Sequence, residues 1–365
     1  MAKTKTILES QADDSGREVN AMVMGIDLGT SRSSIAAMNG VRKTVESYVG
    51  YAKDAVSRKH LGADILYGRD ALDNAMSVNL YRPLEKGVIK GTLAGDEGNP
   101  DNGEVEKNLE AAQLLVRRLV ELTKPSRDEA LYGVIGVPAQ ASDKNKEGIL
   151  ASAKDIFDAV MIVSEPFTVA YGMERLSDVL VVDIGAGTTD LSRMHGTVPS
   201  AEDERSFPIA GDAIDRELHK ILTQRYPEAS ITVNMCKKFK ESYGYVSDTK
   251  DKIEVNLPVK GKPTPFDITN EMKQACEILV EPILEGVADL IATFDPEFQE
   301  KLRNNVIIAG GGSQMRGLNK RVEDGLERVG GGKVTVVDEP TYAGANGALQ
   351  LALDMPADYW QQLSD

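Results

Sequence analysis

Two stretches of this chain are versions of one another. Laid together without a gap, GIDLGTSRSSIAAM (25–38) aligns with VVDIGAGTTDLSRM (181–194), matching Asp27 to Asp183, Gly29 to Gly185, Ile35 to Leu191 and Met38 to Met194 at a constant offset of 156 residues. Each copy reads as an apolar strand, an Asp at its end, a glycine-containing turn and a returning strand. A chain carrying that unit twice is constrained to two related halves, which are expected to face one another across a cleft.

Strand and helix signals alternate around the repeat. The run Ala21–Asp27 (AMVMGID) is a buried strand opening into a turn, and Asn39-Gly40 between apolar runs predicts a hairpin because both residues accept positive φ. Apolar residues at helical spacing over 108–122, a strand over 131–137 stopped by Pro138, a helix over 143–158, a strand over 160–163 and a helix opened by Pro166 follow in order. Strands are expected again at 179–183, 305–309 and 333–337. A helix over 341–353 leads to the single tryptophan, Trp360, expected to pack onto the first half. This is an α/β pattern. Outside it lie a leader read as a mobile tail (1–20), a small mixed module (48–84), a Gly- and Asp-rich exposed loop (91–104) and a helical and irregular insertion (212–269).

Composition excludes several functions. Acidic residues number 57 against 42 basic ones, a formal charge of −15 that repels phosphate backbones and anionic headgroups, so neither nucleic acid nor a bare membrane is an expected partner. The longest apolar run, 159–163, is five residues, far below the roughly 18 that span a bilayer. The first 20 residues carry no secretory pattern, and Cys236 and Cys276 form no CxxC, which fits a reducing cytoplasm. His60, His195 and His219 lie far apart, so any metal is expected to be oxygen-bound.

The duplicated turns carry the chemistry. Asp27-Leu28-Gly29-Thr30-Ser31 joins a strand-end carboxylate to a glycine and two hydroxyl residues whose backbone amides can wrap an anion. The stretch 183–190 repeats this with Gly185 and Gly187 ahead of Thr188 and Thr189. One such turn alone is most often just a hairpin, but two at matching positions point to a polyphosphate gripped from both sides. Carboxylates at Asp27 and Asp183 beside phosphate call for a cation, and Mg²⁺ held largely through its waters fits that need. A third segment, Ala309-Gly310-Gly311-Gly312-Ser313, follows the strand NVIIA and precedes a helix expected near Met315; its bare backbone lets a flat ring or sugar approach closely.

The ordered set DLGTS, DIGAGTTD and AGGGS, with GVPAQASDKNK between the first two and PTYAGANGALQLA near the end, resembles the actin, Hsp70 and sugar-kinase ATPase superfamily over residues 22–355. Its bacterial actin branch fits best. In MIVSEPFTVAYG, Glu165 matches the acidic residue at a helix start beside the γ-phosphate, and FKESYGYV resembles the stretch whose Lys-Glu pair, here Lys240 and Glu241, lies beside the adenosine. With VIGVPAQAS, VSEPF, GTVP and the closing YWQQL, the set resembles most closely the magnetosome actin-like MamK family.

The resemblance implies an actin-like ATPase fold of two ribonuclease-H-like halves flanking a nucleotide cleft, each with a smaller subdomain. The expected boundaries are 21–47 with 87–168 and 350–365 (IA), 48–86 (IB), 169–211 with 270–349 (IIA) and 212–269 (IIB). It implies ATP or ADP bound with Mg²⁺ by Asp27, Gly29, Thr30, Ser31, Gly185, Gly187, Thr188, Thr189, Asp212 near the ribose, Lys240, Glu241, Gly310, Gly311, Gly312 and Ser313. Glu165 would orient the attacking water with Asp183 assisting, and Asp27 and Asp183 would lie near the metal. Without a nucleotide, Asp212 reads as a helix cap and Lys240 and Glu241 as a solvated helix face.

The implied activity is ATP hydrolysis coupled to turnover of a homopolymeric cytoplasmic filament, alongside magnetosomes and their accessory proteins, with no direct membrane insertion. A cell-shape or plasmid-segregating actin is the alternative within the class. An Hsp70-like chaperone is disfavoured because nothing follows the last superfamily element, and a small-molecule kinase because no catalytic Asp base is recognisable. The 91–104 loop and the leader are longer than the family pattern.

Overall fold

Residues 22–26 bury on both faces of their strand, which is why β1 (Ala21–Asp27) reads as an almost unbroken apolar run. In the computed structural model, which describes residues 20–91 and 102–364, this strand is the centre of a five-stranded sheet. The expected leader, apart from Asn20, and most of the expected 91–104 loop lie outside the described residues; Asn102 already begins the helix Asn102–Thr123.

β1 pairs antiparallel with β2 (Arg32–Ala37), which pairs with β3 (Arg42–Glu46) through the Asn39-Gly40 turn, where Gly40 has φ 84° and Asn39 Oδ1 accepts from Val41 N at 3.1 Å. A small three-stranded sheet follows, with β4 (Val49–Ala52) between β5 (Ile65–Tyr67) and β6 (Val78–Tyr81), then the short hairpin β7 (Leu84–Glu85) and β8 (Val88–Ile89). On the other side, β1 pairs in parallel with β9 (Ala130–Val137) and β9 with β10 (Ala159–Ser164), giving the order β10-β9-β1-β2-β3. The helix Asn102–Thr123 buries Ala111, Ala112, Leu115, Val116 and Leu119, a helical stripe, against Met24, Ile26 and Ile35. Trp360 stacks on Tyr132 of β9 with ring centroids 5.2 Å apart, as its expected packing on this half requires.

The second sheet repeats the first. β11 (Ser177–Ile184) pairs antiparallel with β12 (Thr189–His195), β12 with β13 (Glu204–Phe207), and β11 in parallel with β16 (Val306–Ala309), which pairs with β17 (Val334–Val336). The order β13-β12-β11-β16-β17 is that of the first sheet strand for strand. The registers match too: Asp27 faces Ser34 and Ile26 faces Ile35, while Asp183 faces Asp190 and Val182 faces Leu191. Leu180, Val182, Ile184 and Leu191 pack with Ile214, Leu218 and Leu222 of the helix Gly211–Arg225 and with Ile283 and Val287 of the helix Val280–Ala292.

Two expectations change. Within 212–269 the chain forms a hairpin, β14 (Glu254–Val259) and β15 (Lys262–Asp267), turning at Lys260 (φ 50°) and Gly261 (φ 77°). Pro258, Pro263 and Pro265 hide it in the sequence, yet a two-stranded ladder leaves each strand an open side that tolerates them. After the glycine run, residues Gly311–Gln314 form a 3₁₀ turn and the helix starts at Leu318 instead of near Met315, because Gly317 at φ 80° breaks the backbone between them. By compactness the described residues divide into two units, one running up to 175 and resuming at 341, the other 176–340. The helix Glu165–Gly172 stays with the first unit because it crosses the helix Ala343–Asp354 at backbone contact: a Cβ on Gly172 would lie 2.8 Å from Gly347 Cα, and one on Gly347 would strike the Thr168 carbonyl.

Candidate active site

In the first unit, Asp27 ends β1 opposite Gly136 of β9. The helix Ala343–Asp354 begins against it, a Cβ on Gly344 falling 3.1 Å from Asp27 Oδ2. Burial pushes the Asp27 carboxyl up to about 6. The turn beyond is held from behind: Ser47 Oγ donates to Gly29 O at 2.6 Å, Ser33 and Ser47 hydroxyls lie 2.9 Å apart, and Ser47 N donates to Ser31 O at 3.0 Å. The buried Thr30 hydroxyl accepts from Gly87 N at 2.8 Å, and Thr30 O accepts from Arg82 Nε at 2.9 Å. Thr30 therefore fixes the turn with its side chain and carbonyl. Arg82 was not legible as a site residue, since nothing local in its sequence links it to a turn 52 positions away.

Glu165 belongs to the same unit. Ser164 is extended, Glu165 starts the helix with Pro166 directly after it, and Thr168 Oγ1 donates to Glu165 O at 2.7 Å. A Cβ added to Gly136 would lie 3.2 Å from Glu165 Cγ, so a bare glycine makes room for this side chain one strand from Asp27. An acidic residue in a helix's first turn is favoured by the dipole, and here it stands at the end of the strand layer that carries Asp27.

In the second unit, Asp183 lies next to last in β11, and Gly185 N donates to Thr188 O at 3.0 Å to close the turn. Thr189 Oγ1 donates to Ile209 O at 2.7 Å, so this buried hydroxyl ties down the turn's exit. The glycine run packs directly on this strand end. Gly310 has φ 74°, and a Cβ there would strike Asp183 Oδ1, while one on Gly312 would strike the Ile184 side chain. Gly311 instead faces open space, the approach expected of a binding backbone. Ser313 Oγ donates to Gly310 O at 2.7 Å and so shapes the run from within.

The helix Gly211–Arg225 is tied to the turn, Gly211 N donating to Gly185 O at 3.2 Å and Asp212 N to Ala186 O at 2.8 Å. Asp212 sits in the first helical turn while Ala210 takes the cap position, which corrects the cap reading. Lys240, in the helix Val233–Tyr243, is not on a solvated face either: its ammonium lies 2.8 Å from both Gly211 O and Asp215 Oδ1. Glu241 beside it is exposed. Burial pushes the Asp215 carboxyl up, opposed by the Lys240 charge. Asp215 was missed, although a carboxylate in the buried stripe Ile214, Leu218, Leu222 is a legible signal. Each unit thus gathers its own residues: Asp27, Gly29, Thr30, Ser31 and Glu165 in the first, and Asp183, 185–189, Asp212, Lys240 and 310–313 in the second.

Paired strand-end carboxylates, each followed by a glycine turn in a duplicated sheet, define the actin-like class. Residues 21–358 match the MreB/Mbl protein family, and the chain belongs to it. Within that family it sits with the MamK actin-like proteins, being 35% identical over 354 residues to the actin-like protein MamK of Paramagnetospirillum magneticum (strain ATCC 700264 / AMB-1), across 97% of this chain and 99% of that one. A MamK double helical filament matches with a TM-score of 0.87 at 35% identity, covering 92% of this chain and all (100%) of that one. A non-polymerising MamK mutant bound to AMPPNP matches with a TM-score of 0.68 at 35% identity, over 91% and 99%. Among the described residues no helix is long and apolar enough to cross a membrane.

Proposed function

We propose that this protein is a filament-forming actin-like ATPase. The observation that carries the reading is the duplicated register that sets Asp27 and Asp183 at equivalent strand ends, each ahead of a glycine turn. The MamK relatives, one a filament and one bound to AMPPNP, support carrying polymerisation and adenine nucleotide over to this chain. The turns at 27–31 and 183–189 hold the phosphates through backbone amides, and Gly311 offers open backbone to the sugar or base.

The donor set fits Mg²⁺. Mg²⁺ prefers one or two carboxylates with phosphates and water, and each glycine turn follows one carboxylate at the end of its strand, Asp27 and Asp183. Asp27 and Asp183 would hold it; bound there, Mg²⁺ neutralises phosphate charge. Asp27, whose carboxyl is lifted by desolvation, regains a favourable environment when a cation lies beside it. Glu165 orients and partly deprotonates the attacking water, with Asp183 assisting, because positioning and electrostatics supply most of phosphoryl-transfer catalysis. Hydrolysis to ADP then weakens subunit contacts and turns the filament over. The cargo is the magnetosome chain, with accessory proteins of that organelle as partners and the cytoplasm as the setting.

Light scattering and pelleting with Mg-ATP, with ADP and without nucleotide, repeated for Glu165→Ala, test this. Polymer that depends on ATP in the wild type, with assembly kept and phosphate release lost in the variant, is the expected result. Phosphate release with no polymer at any salt or Mg²⁺ concentration would sink the filament reading.

A further inference from the structure

Lys240 stands where the family pattern puts a contact to adenosine, yet its ammonium is held inside the protein. It lies 2.8 Å from Asp215 Oδ1 and 2.8 Å from Gly211 O, with the two side chains only 14% and 3% exposed. Gly211 is the link. Its N–H donates to Gly185 O at 3.2 Å, and the next N–H, of Asp212, donates to Ala186 O at 2.8 Å, so the carbonyl gripped by Lys240 belongs to the peptide that steers the phosphate turn. Space there is tight: a Cβ on Gly211 would lie 3.1 Å from Lys240 Nζ, 3.3 Å from Ala186 Cα and 3.4 Å from Gly185 O, so a methyl would press on the ammonium and the turn.

We propose that the Asp215–Lys240 pair is a brace that positions the 185–188 turn, so that both residues act on the phosphate end of the nucleotide. The inference rests on the nucleotide-binding reading above. The pair carries no net charge, so it adds little field at the turn and acts by geometry. A charge held between a carbonyl that accepts its hydrogen bond and a buried carboxylate that pairs with it keeps one position, and breaking such a pair leaves its partner stranded. Asp215 touches no part of the turn itself and is a positioning residue. The brace also joins the helix Val233–Tyr243 to the turn through Lys240.

The test measures displacement of a fluorescent ATP analogue from the full chain by Mg-ATP and, separately, by Mg-tripolyphosphate, which has no base or sugar. The variants are Asp215→Asn, Lys240→Met, their double and Gly211→Ala. Each single variant is expected to lose about tenfold in affinity for both competitors, the range of one charge-assisted hydrogen bond, and the double no more than the worse single. KM for ATP should rise by the same factor with kcat little changed. Asn replaces Asp215 at equal size, and Gly211→Ala places a good helix former at a helix start, so the set keeps a folded member. Loss of ATP affinity with tripolyphosphate affinity unchanged would mean a base contact and overturn the brace. So would lower melting midpoints with unchanged affinities, the mark of a purely structural pair. A wild type that binds neither competitor refutes the nucleotide reading itself.

Discussion

Gly136 lies under Glu165. The glycine pairs with Asp27 across β9 and β1, and a Cβ on it would come within 3.2 Å of Glu165 Cγ, so one bare backbone position lets the Glu165 side chain settle beside the strand that ends in Asp27. The sheet register fixes Asp27, the helix start fixes Glu165, and the missing side chain lets both be true at once.

Gly136→Ala should therefore separate binding from hydrolysis. At 3.2 Å the glutamate must give by a few tenths of an ångström, and small displacements of a positioned group are expensive in rate. Phosphate release in a single turnover is expected to fall about tenfold or more, with affinity for ATP within about twofold of wild type. Equal losses in both would mean that the alanine disturbs the fold of the turn and not the glutamate.

The helices Glu165–Gly172 and Ala343–Asp354 cross at backbone contact. Gly347→Ala drives a methyl into the Thr168 carbonyl, a backbone atom that cannot rotate away. Overpacking of this kind costs about 1–3 kcal/mol, and the melting midpoint should drop by several degrees. Gly196→Ala is the control, since its Cβ meets nothing within 4 Å, although its φ of 96° adds backbone strain of its own. Calorimetry that finds the two variants equally destabilised would show that strain, not the crossing, sets the cost.

The features legible in the sequence are those fixed by local pattern and by duplication. The strand–turn–strand repeat forecast the matching registers of Asp27 and Asp183 because strand pairing through a short turn leaves little freedom. What escaped depends on tertiary partners. The partner of Lys240 is 25 residues away on another helix, and no periodicity links Asp215 to it. The β14–β15 hairpin was hidden by three prolines that would stop an inner strand but not a two-stranded ribbon. The close approach of Gly172 to Gly347 also escaped, since glycines that allow close crossing look the same in sequence as glycines in turns.

Asp27 gives a pH signature. Burial lifts its carboxyl from 3.8 to about 6, so the folded protein holds the proton more tightly than the unfolded chain does. The stability this contributes is full below the unfolded value of 3.8 and is lost as the pH rises through about 6. Asp27→Asn stays neutral, and nucleotide-free variant should melt higher than wild type at about pH 7.5. At 1.36 kcal/mol per unit the gap is on the order of 3 kcal/mol at most, and it should narrow by about half as the pH falls to about 5. The same variant should lose the Mg²⁺ dependence of ATP binding. A melting difference that does not change with pH would remove Asp27 as its source.

Assembly should answer to salt. Each subunit carries a formal charge of −15, so bringing identical copies together end to end is opposed by a repulsion that acts over the screening length, about 10 Å at 0.1 M salt. Head-to-tail contacts that do not close into a ring repeat that opposition at every added subunit. The concentration at which polymer first pellets with Mg-ATP is therefore expected to fall as monovalent salt rises from low to moderate, and to fall further when Mg²⁺ replaces part of it at constant ionic strength. Sedimentation across a salt series reads this directly. A threshold that stays flat through the series, with ATP saturating throughout, would mean that the contacting faces are locally complementary and that the net charge plays no part in controlling the filament.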